Sequence, residues 1–154
     1  MELKPGYKQT EVGVIPEDWN HPSLECVARL QGGYSFSSSN FGDMGVPVIR
    51  ISDIQNGEAS TRSATKHPPI NLPSQFIIKK GDTLLAMSGA TTGKTGTYND
   101  TKSAYLNQRV GKFIIIDKSQ NNENFIIHSV QSPIFEDQLN GVLEQGAQPN
   151  ISSS

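Results

Sequence analysis

Lys80-Gly81-Asp82-Thr83-Leu84-Leu85-Ala86-Met87-Ser88-Gly89-Ala90-Thr91-Thr92-Gly93-Lys94-Thr95 is the stretch on which the fold turns. Lys79 to Asp82 reads as a turn, Thr83 to Met87 as an apolar strand, and Ser88 to Gly96 as a Gly/Thr loop. An apolar strand running into a loop that ends in Gly-Lys-Thr resembles a phosphate-cradling nucleotide site, and Ile114-Ile115-Ile116-Asp117 resembles the Mg²⁺-holding strand that accompanies one. Two features argue against it. Ser88 stands where the first loop glycine belongs, Gly89 coming one position late. Gly96 and Asn99-Asp100 then follow Thr95, where a long helix must begin in order to aim its N-terminal amides at phosphates. The stretch is therefore a strand, a loop and a second strand starting at Thr97-Tyr98, which makes the chain β-rich rather than a wound α/β nucleotide binder.

On the N-terminal side of that stretch, residues 1–22 are expected to be an irregular lead-in punctuated by Pro and Gly and anchored by Trp19. Ser23 is an N-cap candidate for a short helix with Leu24, Val27 and Ala28 on one face, ending near Gly32-Gly33. Ser35 to Gly45 is a Ser- and Gly-rich loop. Val46 to Ile51 is a strand with Pro47 near its start. Asn56-Gly57 is a turn signal, and the polar, proline-broken run from Glu58 to Pro73 is an exposed excursion before Gln75 to Ile78 returns to strand. Toward the C-terminus, Ala104 to Ile116 supplies two β runs broken near Gly111. Asn121 or Asn122 caps a helix with Phe125, Ile126, Ile127 and Val130 on one stripe. Pro133 opens a second helix carrying Ile134, Phe135, Leu139 and Val142, and Gly146 to Ser154 is extended. The expected fold is a single α+β domain over residues 1–154, a twisted β-sheet or partial β-barrel with a short N-terminal helix and a C-terminal helical pair.

Composition narrows the chemistry. With 154 residues, 34 % hydrophobic and 18 % charged, the chain has the size of one domain and is no coiled coil. No segment reaches the roughly 18 to 20 apolar residues that a bilayer crossing needs, so no membrane association is expected. Cys26, the single cysteine, permits neither an internal disulfide nor a cysteine-rich zinc site and is expected to be buried. His21, His67 and His128 lack carboxylates or cysteines at ligand spacing, so no metal and no cofactor is expected. No nucleophile sits in a G-x-S-x-G context, and the Asn-Pro-Pro-aromatic and glycine-rich elements of an adenine methyltransferase are missing, so the chain is expected to be no enzyme. Net charge is −2, but residues 50–118 carry ten Lys or Arg against five acids, whereas residues 119–154 carry no Lys or Arg and four acids. A local cationic patch of about +5 is compatible with phosphates in a chain whose overall charge is not that of a nonspecific nucleic-acid binder.

Five segments then stand in a telling order: Glu11 to Trp19, Val48 to Ile54, Lys80 to Lys94, Ala104 to Arg109, and Gly146-Ala147-Gln148-Pro149-Asn150-Ile151-Ser152. Together they span essentially the whole chain. In this order they resemble the target-recognition domain of bacterial type I restriction-modification specificity subunits. The resemblance implies a cytoplasmic, bacterial or archaeal, non-catalytic module that reads one half of a split site on double-stranded DNA. Partner subunits would supply the chemistry: a methyltransferase subunit that flips and methylates an adenine, and a restriction subunit joined through the assembled complex. In the family, a connector beginning near residue 147 leads into a spacing helix, and this chain stops at Ser154 before it.

Because family members read different targets, the shared segments are expected to be scaffold and the reading residues to lie between them. The DNA-binding candidates are Arg62, Thr65, Lys66 and His67 in the excursion, and Thr91, Thr92, Lys94, Tyr98, Asn99 and Lys102 around the Gly/Thr loop. Arg50 and Arg109 are candidates for phosphates, while Ser52, Asp53, Asn107 and Gln108 read as turn and network residues. An alternative function is a protein-interaction or decoy fragment that binds the methyltransferase subunit without productive DNA reading, through Trp19, the acidic ends and the helical pair.

Overall fold

The computed structural model describes residues 2–143 and 151–152. Its first element corrects the lead-in expectation: β1 (Tyr7–Thr10) and β2 (Gly13–Pro16) form an antiparallel hairpin. No side chain of either strand is buried, so no apolar alternation announces them. The short N-terminal helix is corrected as well. Ser23 does precede a helical turn, but this is one 3-10 turn, Leu24–Cys26, and the chain then extends as β3 (Ala28–Gly32). Cys26 is exposed on that turn rather than buried.

The remaining strands are β4 (Val46–Ile49), β5 (Ile54–Gln55), β6 (Gly57–Ala59), β7 (Lys66–His67), β8 (Ile77–Ile78), β9 (Thr83–Ala86), β10 (Thr95–Tyr98), β11 (Ala104–Leu106) and β12 (Val110–Ile115). They make two open sheets in the orders β3-β12-β9-β10-β6-β5 and β7-β4-β11-β8, with no closed barrel. Turn chemistry fixes several joins. Asn56 and Gly57 both take positive φ, 54° and 77°, as the two-residue turn between β5 and β6 requires. The break in the Ala104 to Ile116 run falls at Asn107 to Arg109, not at Gly111, which lies inside β12 opposite Gly32 and Leu85.

Side-chain alternation sorts the strands into layers. Leu84 and Ala86 of β9, Tyr98 of β10 and Val110 of β12 meet Ile49 of β4, Ile78 of β8 and Ala104 and Leu106 of β11, so the main core lies between the two sheets. The alternate residues of the larger sheet, Ala28 and Ile115, pack on Ile126 of helix α1 (Glu123–Val130), and Phe113 meets Phe135 of helix α2 (Pro133–Leu143) edge to face. Phe36, Val48 and Tyr105 fill the outer face of the smaller sheet, beneath the 35–45 loop. The domain is thus an α+β sandwich with the helical pair on one side. Asn122 caps α1 by accepting the Phe125 N–H, and Pro133 occupies the first helical position of α2. The apolar stripe is narrower than its sequence suggests: Ile126 and Val130 are buried, but Phe125 is 73 % exposed. Of the expected extended tail at Gly146 to Ser154, only Ile151 and Ser152 lie within the described residues, and the Ile151 N–H donates to Met87 O at 2.7 Å.

Candidate nucleic-acid interface

The register divides the sequence candidates between opposite ends of the larger sheet. At one end, Ser88 to Lys94 joins β9 to β10 and is bound mostly to the protein itself. Gly93 N donates to Ala86 O at 2.8 Å and Ala86 N to Lys94 O at 2.9 Å, which closes the loop as a hairpin. Thr91 Oγ1 donates to Ile51 O at 2.8 Å and Thr92 Oγ1 to Gly89 O at 2.6 Å. Lys94 pairs with Glu136 on α2. A strand, not a helix, follows Thr95, so no helix N-terminus faces this loop, and a nucleotide cradle is ruled out on geometry. Arg50 lies at the same end: its N–H donates to Asp53 Oδ2 at 2.9 Å and its guanidinium stands 6.0 Å from the Phe41 ring centroid. Burial raises the Asp53 carboxyl above the ordinary range, opposed by that N–H and by the Arg50 charge. Arg109 is exposed beside this loop, with Met87 N donating to its carbonyl at 3.0 Å.

At the other end, Thr97 faces Thr83 and Tyr98 faces Ala59, which brings three connections side by side: the Lys79–Asp82 turn, the residues after Tyr98, and the segment after Ala59. Gly81 N donates to Tyr98 O at 2.7 Å and Tyr98 N to Asp82 O at 2.9 Å. The Tyr98 hydroxyl, wholly buried, donates to Lys102 O at 2.6 Å, and Thr61 Oγ1 donates to Asp100 Oδ2 at 2.9 Å. These bonds gather Arg62, Asn99 and Lys102 at one place, and with them Lys79 and Lys80, which the sequence reading had assigned only to a turn. All five side chains are exposed.

Electrostatics reinforce the grouping. Two carboxylates in these connections are occupied in shaping them: Asp82 Oδ2 accepts the Lys79 N–H at 2.8 Å, and Asp100 Oδ1 accepts the Lys102 N–H at 3.0 Å. The Lys102 N–H, followed by the Thr61 hydroxyl, holds the Asp100 carboxyl below the usual range. Nearby, Lys112 is buried between the sheets, its ammonium donating to Ile77 O at 2.8 Å and lying 3.8 Å from Asp82. Burial lowers its pKa, Asp82 opposes that, and the fields of Lys79 and Arg29 add to the lowering. Arg62 stands 4.0 Å from Glu58 in an exposed pair.

Three candidates from the excursion fall outside both ends, a correction to the reading of that run as exposed. Lys66 and His67 form β7, paired with Val46 and Pro47 at the edge of the smaller sheet, and Thr65 O accepts the Val48 N–H at 2.8 Å. His67 is only 6 % exposed, with its ring 5.0 Å from that of Phe36 and its Nδ1–H donating to Pro68 O at 2.7 Å. Tyr98 is likewise a core residue rather than a surface reader. Pro68 and Pro69 do remain exposed, as expected.

Among the described residues no three His, Cys, Asp or Glu gather where a metal ion could be held, and no helix is long and apolar enough to cross a membrane. A second surface lies between the lead-in and the helical pair: an open groove of about 810 Å³ lined by residues including Pro22, Leu24, Phe125, Ile134 and Phe135. Phe125 and Ile134 are 73 % and 70 % exposed there. The chain segments bordering it, residues 9–28 and 119–143, contain seven acids and no Lys or Arg.

Residues 16–154 match the family described as Type I restriction modification DNA specificity domain. The chain is 32 % identical over 152 residues to the Type I restriction enzyme MjaVIII specificity subunit of Methanocaldococcus jannaschii, covering 94 % of this chain and 35 % of that protein. It is 30 % identical over 118 residues to the Type I restriction enzyme EcoBI specificity subunit of Escherichia coli, covering 75 % and 23 %. Among solved structures, the HsdS subunit from Thermoanaerobacter tengcongensis superimposes with a TM-score of 0.56 at 14 % identity, over 90 % of this chain and 30 % of that one. A chain from a study of complex assembly and conformational transition of the type I R-M system gives 0.57 at 16 % identity, over 99 % and 33 %. These last two likenesses are of fold. The chain spans about a third or less of the length of the relatives it matches.

Proposed function

This chain belongs to the type I restriction modification DNA specificity domain family, and from that membership we propose that it reads one half of a split double-stranded DNA target as a single recognition domain over residues 1–154. In this reading it catalyses nothing. It supplies base-edge contacts and groove-shape readout, while a methyltransferase subunit methylates adenine and a restriction subunit acts through the assembled complex in a bacterial or archaeal cytoplasm.

The observation that carries the reading is the cationic, exposed end of the larger sheet, where Arg62, Asn99 and Lys102 converge within a chain whose net charge is −2. Phosphate contacts fix orientation, and neutral donors and acceptors between them specify bases. Selection from a randomised duplex pool tests the proposal. Enrichment of a short motif supports it; a pool that stays random over successive rounds rejects it.

A second reading has its own observation. The apolar groove with Phe125 and Ile134 exposed, bordered by acidic segments, suits a protein surface and supports docking on the methyltransferase subunit. As a decoy without DNA reading, the chain would co-purify with that subunit yet give no shift of random duplex. A chain that reads DNA gives both.

A further inference from the structure

We propose that the duplex meets this domain at the Lys79–Asp82 end of the larger sheet, with Lys79 and Lys80 as phosphate contacts and the Gly/Thr-loop end turned away. The inference rests on the DNA-reading function and adds to it a direction of approach and two residues.

Topology makes the case. Going across the sheet from β3 to β6, this end presents Arg29 on β3, Lys79 and Lys80 before β9, Lys102 after β10 and Arg62 after β6. All five are exposed. Four strand spacings of about 4.8 Å make a row on the order of 19 Å long, enough to cross a major groove about 12 Å wide and reach phosphates on both sides. The carboxylates in the adjoining turns, Asp82, Asp100 and the exposed Asp117 that follows β12, accept hydrogen bonds from the turns themselves, Lys118 beside Asp117 pairs with Glu123, and Arg62 keeps its exposed pair with Glu58 at 4.0 Å. Asn99 lies between the cations with its side chain exposed, where a base edge would be read.

At the opposite end Arg109 is exposed, but the loop side chains are engaged within the protein. Lys94 is paired with Glu136, Thr91 and Thr92 spend their hydroxyl hydrogens on backbone carbonyls, and a side chain at Gly93 would stand 3.3 Å from Leu139 of α2. The two ends are separated by strands of four residues, roughly 13 Å at about 3.3 Å per residue, so a duplex lying along one does not rest on the other. The bond of the buried Tyr98 hydroxyl to Lys102 O and the half-buried Thr61–Asp100 bond hold the cationic connections in place before any ligand arrives.

The test is fluorescence anisotropy with a labelled random-sequence duplex of about 20 base pairs, measured over a range of NaCl concentrations. The variants are Lys79→Ala with Lys80→Ala, Lys102→Ala alone, and Lys8→Ala in the N-terminal hairpin as control. At about 0.9 per phosphate, the double variant should make the slope of log K against log[salt] shallower by about 1.8 and Lys102→Ala by about 0.9. Lys8→Ala should leave it unchanged. Circular dichroism melts establish that these exposed substitutions leave the fold intact, and the charge-reversed K79E/K80E pair should weaken binding further. Wild-type binding with a slope that neither K79A/K80A nor K79E/K80E alters overturns the direction of approach while leaving the function standing. Absence of any salt-sensitive wild-type binding overturns both.

Discussion

Replacing Tyr98 by Phe removes one oxygen at the Lys79–Asp82 end of the larger sheet and nothing else. The ring keeps its place among Ile54, Ala59, Leu84 and Leu106, so no side-chain cavity larger than the hydroxyl opens. What is lost is the 2.6 Å bond to Lys102 O, and that carbonyl is left facing the ring. Stranding a partly buried acceptor costs about 1 to 3 kcal/mol, and because Lys102 lies in a solvent-facing turn the lower half of that range applies, about 1.5 kcal/mol. For a domain of this size a change of 1 kcal/mol moves Tm by about 2 to 4 °C, so the variant should melt about 3 to 6 °C lower, with an unchanged urea m value. Far-UV circular dichroism is the suitable probe, because Trp19 is exposed and reports little of the core. The same bond anchors the turn that carries Lys102, so duplex affinity measured well below both melting points should fall several-fold. Unaltered stability would refute the hydrogen-bond assignment. Lowered stability with unaltered duplex affinity would refute the claim that this buried bond presents the reading end.

Three further outcomes follow from particular contacts. Gly96→Ala should destabilise the domain by about 2 kcal/mol or more, since its Cβ would stand 2.7 to 2.9 Å from the backbone of Glu58 and Ala59 and force β10 from β6, which urea unfolding would register. Burial pushes the Tyr98 phenol up to about 12. The folded pKa therefore lies above the unfolded value near 10, so this group's contribution is complete below about pH 10 and is lost between about 10 and 12, and Tyr98→Phe should show a weaker decline in stability over that window. Phe125→Ser with Ile134→Ser should change stability by less than about 0.5 kcal/mol each because both side chains are exposed, yet it should abolish co-purification with the methyltransferase subunit; retained co-purification would remove the groove from the docking account.

Much of this architecture is written locally. Asn56-Gly57 can hardly be anything but a tight turn, Pro133 and Asn122 mark helix starts by the hydrogen bonds they lack or provide, and the apolar run at Thr83 to Met87 reads as a strand and forms β9 over Thr83–Ala86. Other features depended on partners far along the chain. Leu24, Val27 and Ala28 have helical spacing, but Ala28 to Gly32 is drawn into a strand by the long β12 ladder, a tertiary effect that overrides local pattern. The hairpin at Tyr7 to Pro16 buries too little to leave an alternation. His67 looked like a surface polar residue because its aromatic neighbours, Phe36 and Phe41, lie about 30 residues away in sequence. For the site, charge by thirds located the cationic middle of the chain, and Arg62, Asn99 and Lys102 were legible as candidates. Lys79 and Lys80 are not legible as contacts because Lys-Lys-Gly-Asp reads first as a turn; only the β9–β10 register shows that this turn stands beside Asn99.

Discrimination between sequences is measured as a ratio. Affinity is compared at one fixed salt concentration for a duplex carrying the motif enriched by selection and for a duplex of the same length and composition with that motif scrambled. Each mismatched base pair typically costs about 1 to 3 kcal/mol, so a half-site reader should prefer the enriched duplex by at least ten-fold, and single substitutions within the motif should each remove part of that preference. Equal affinities for the two duplexes, with the same salt slope, would contradict sequence-specific reading by this chain.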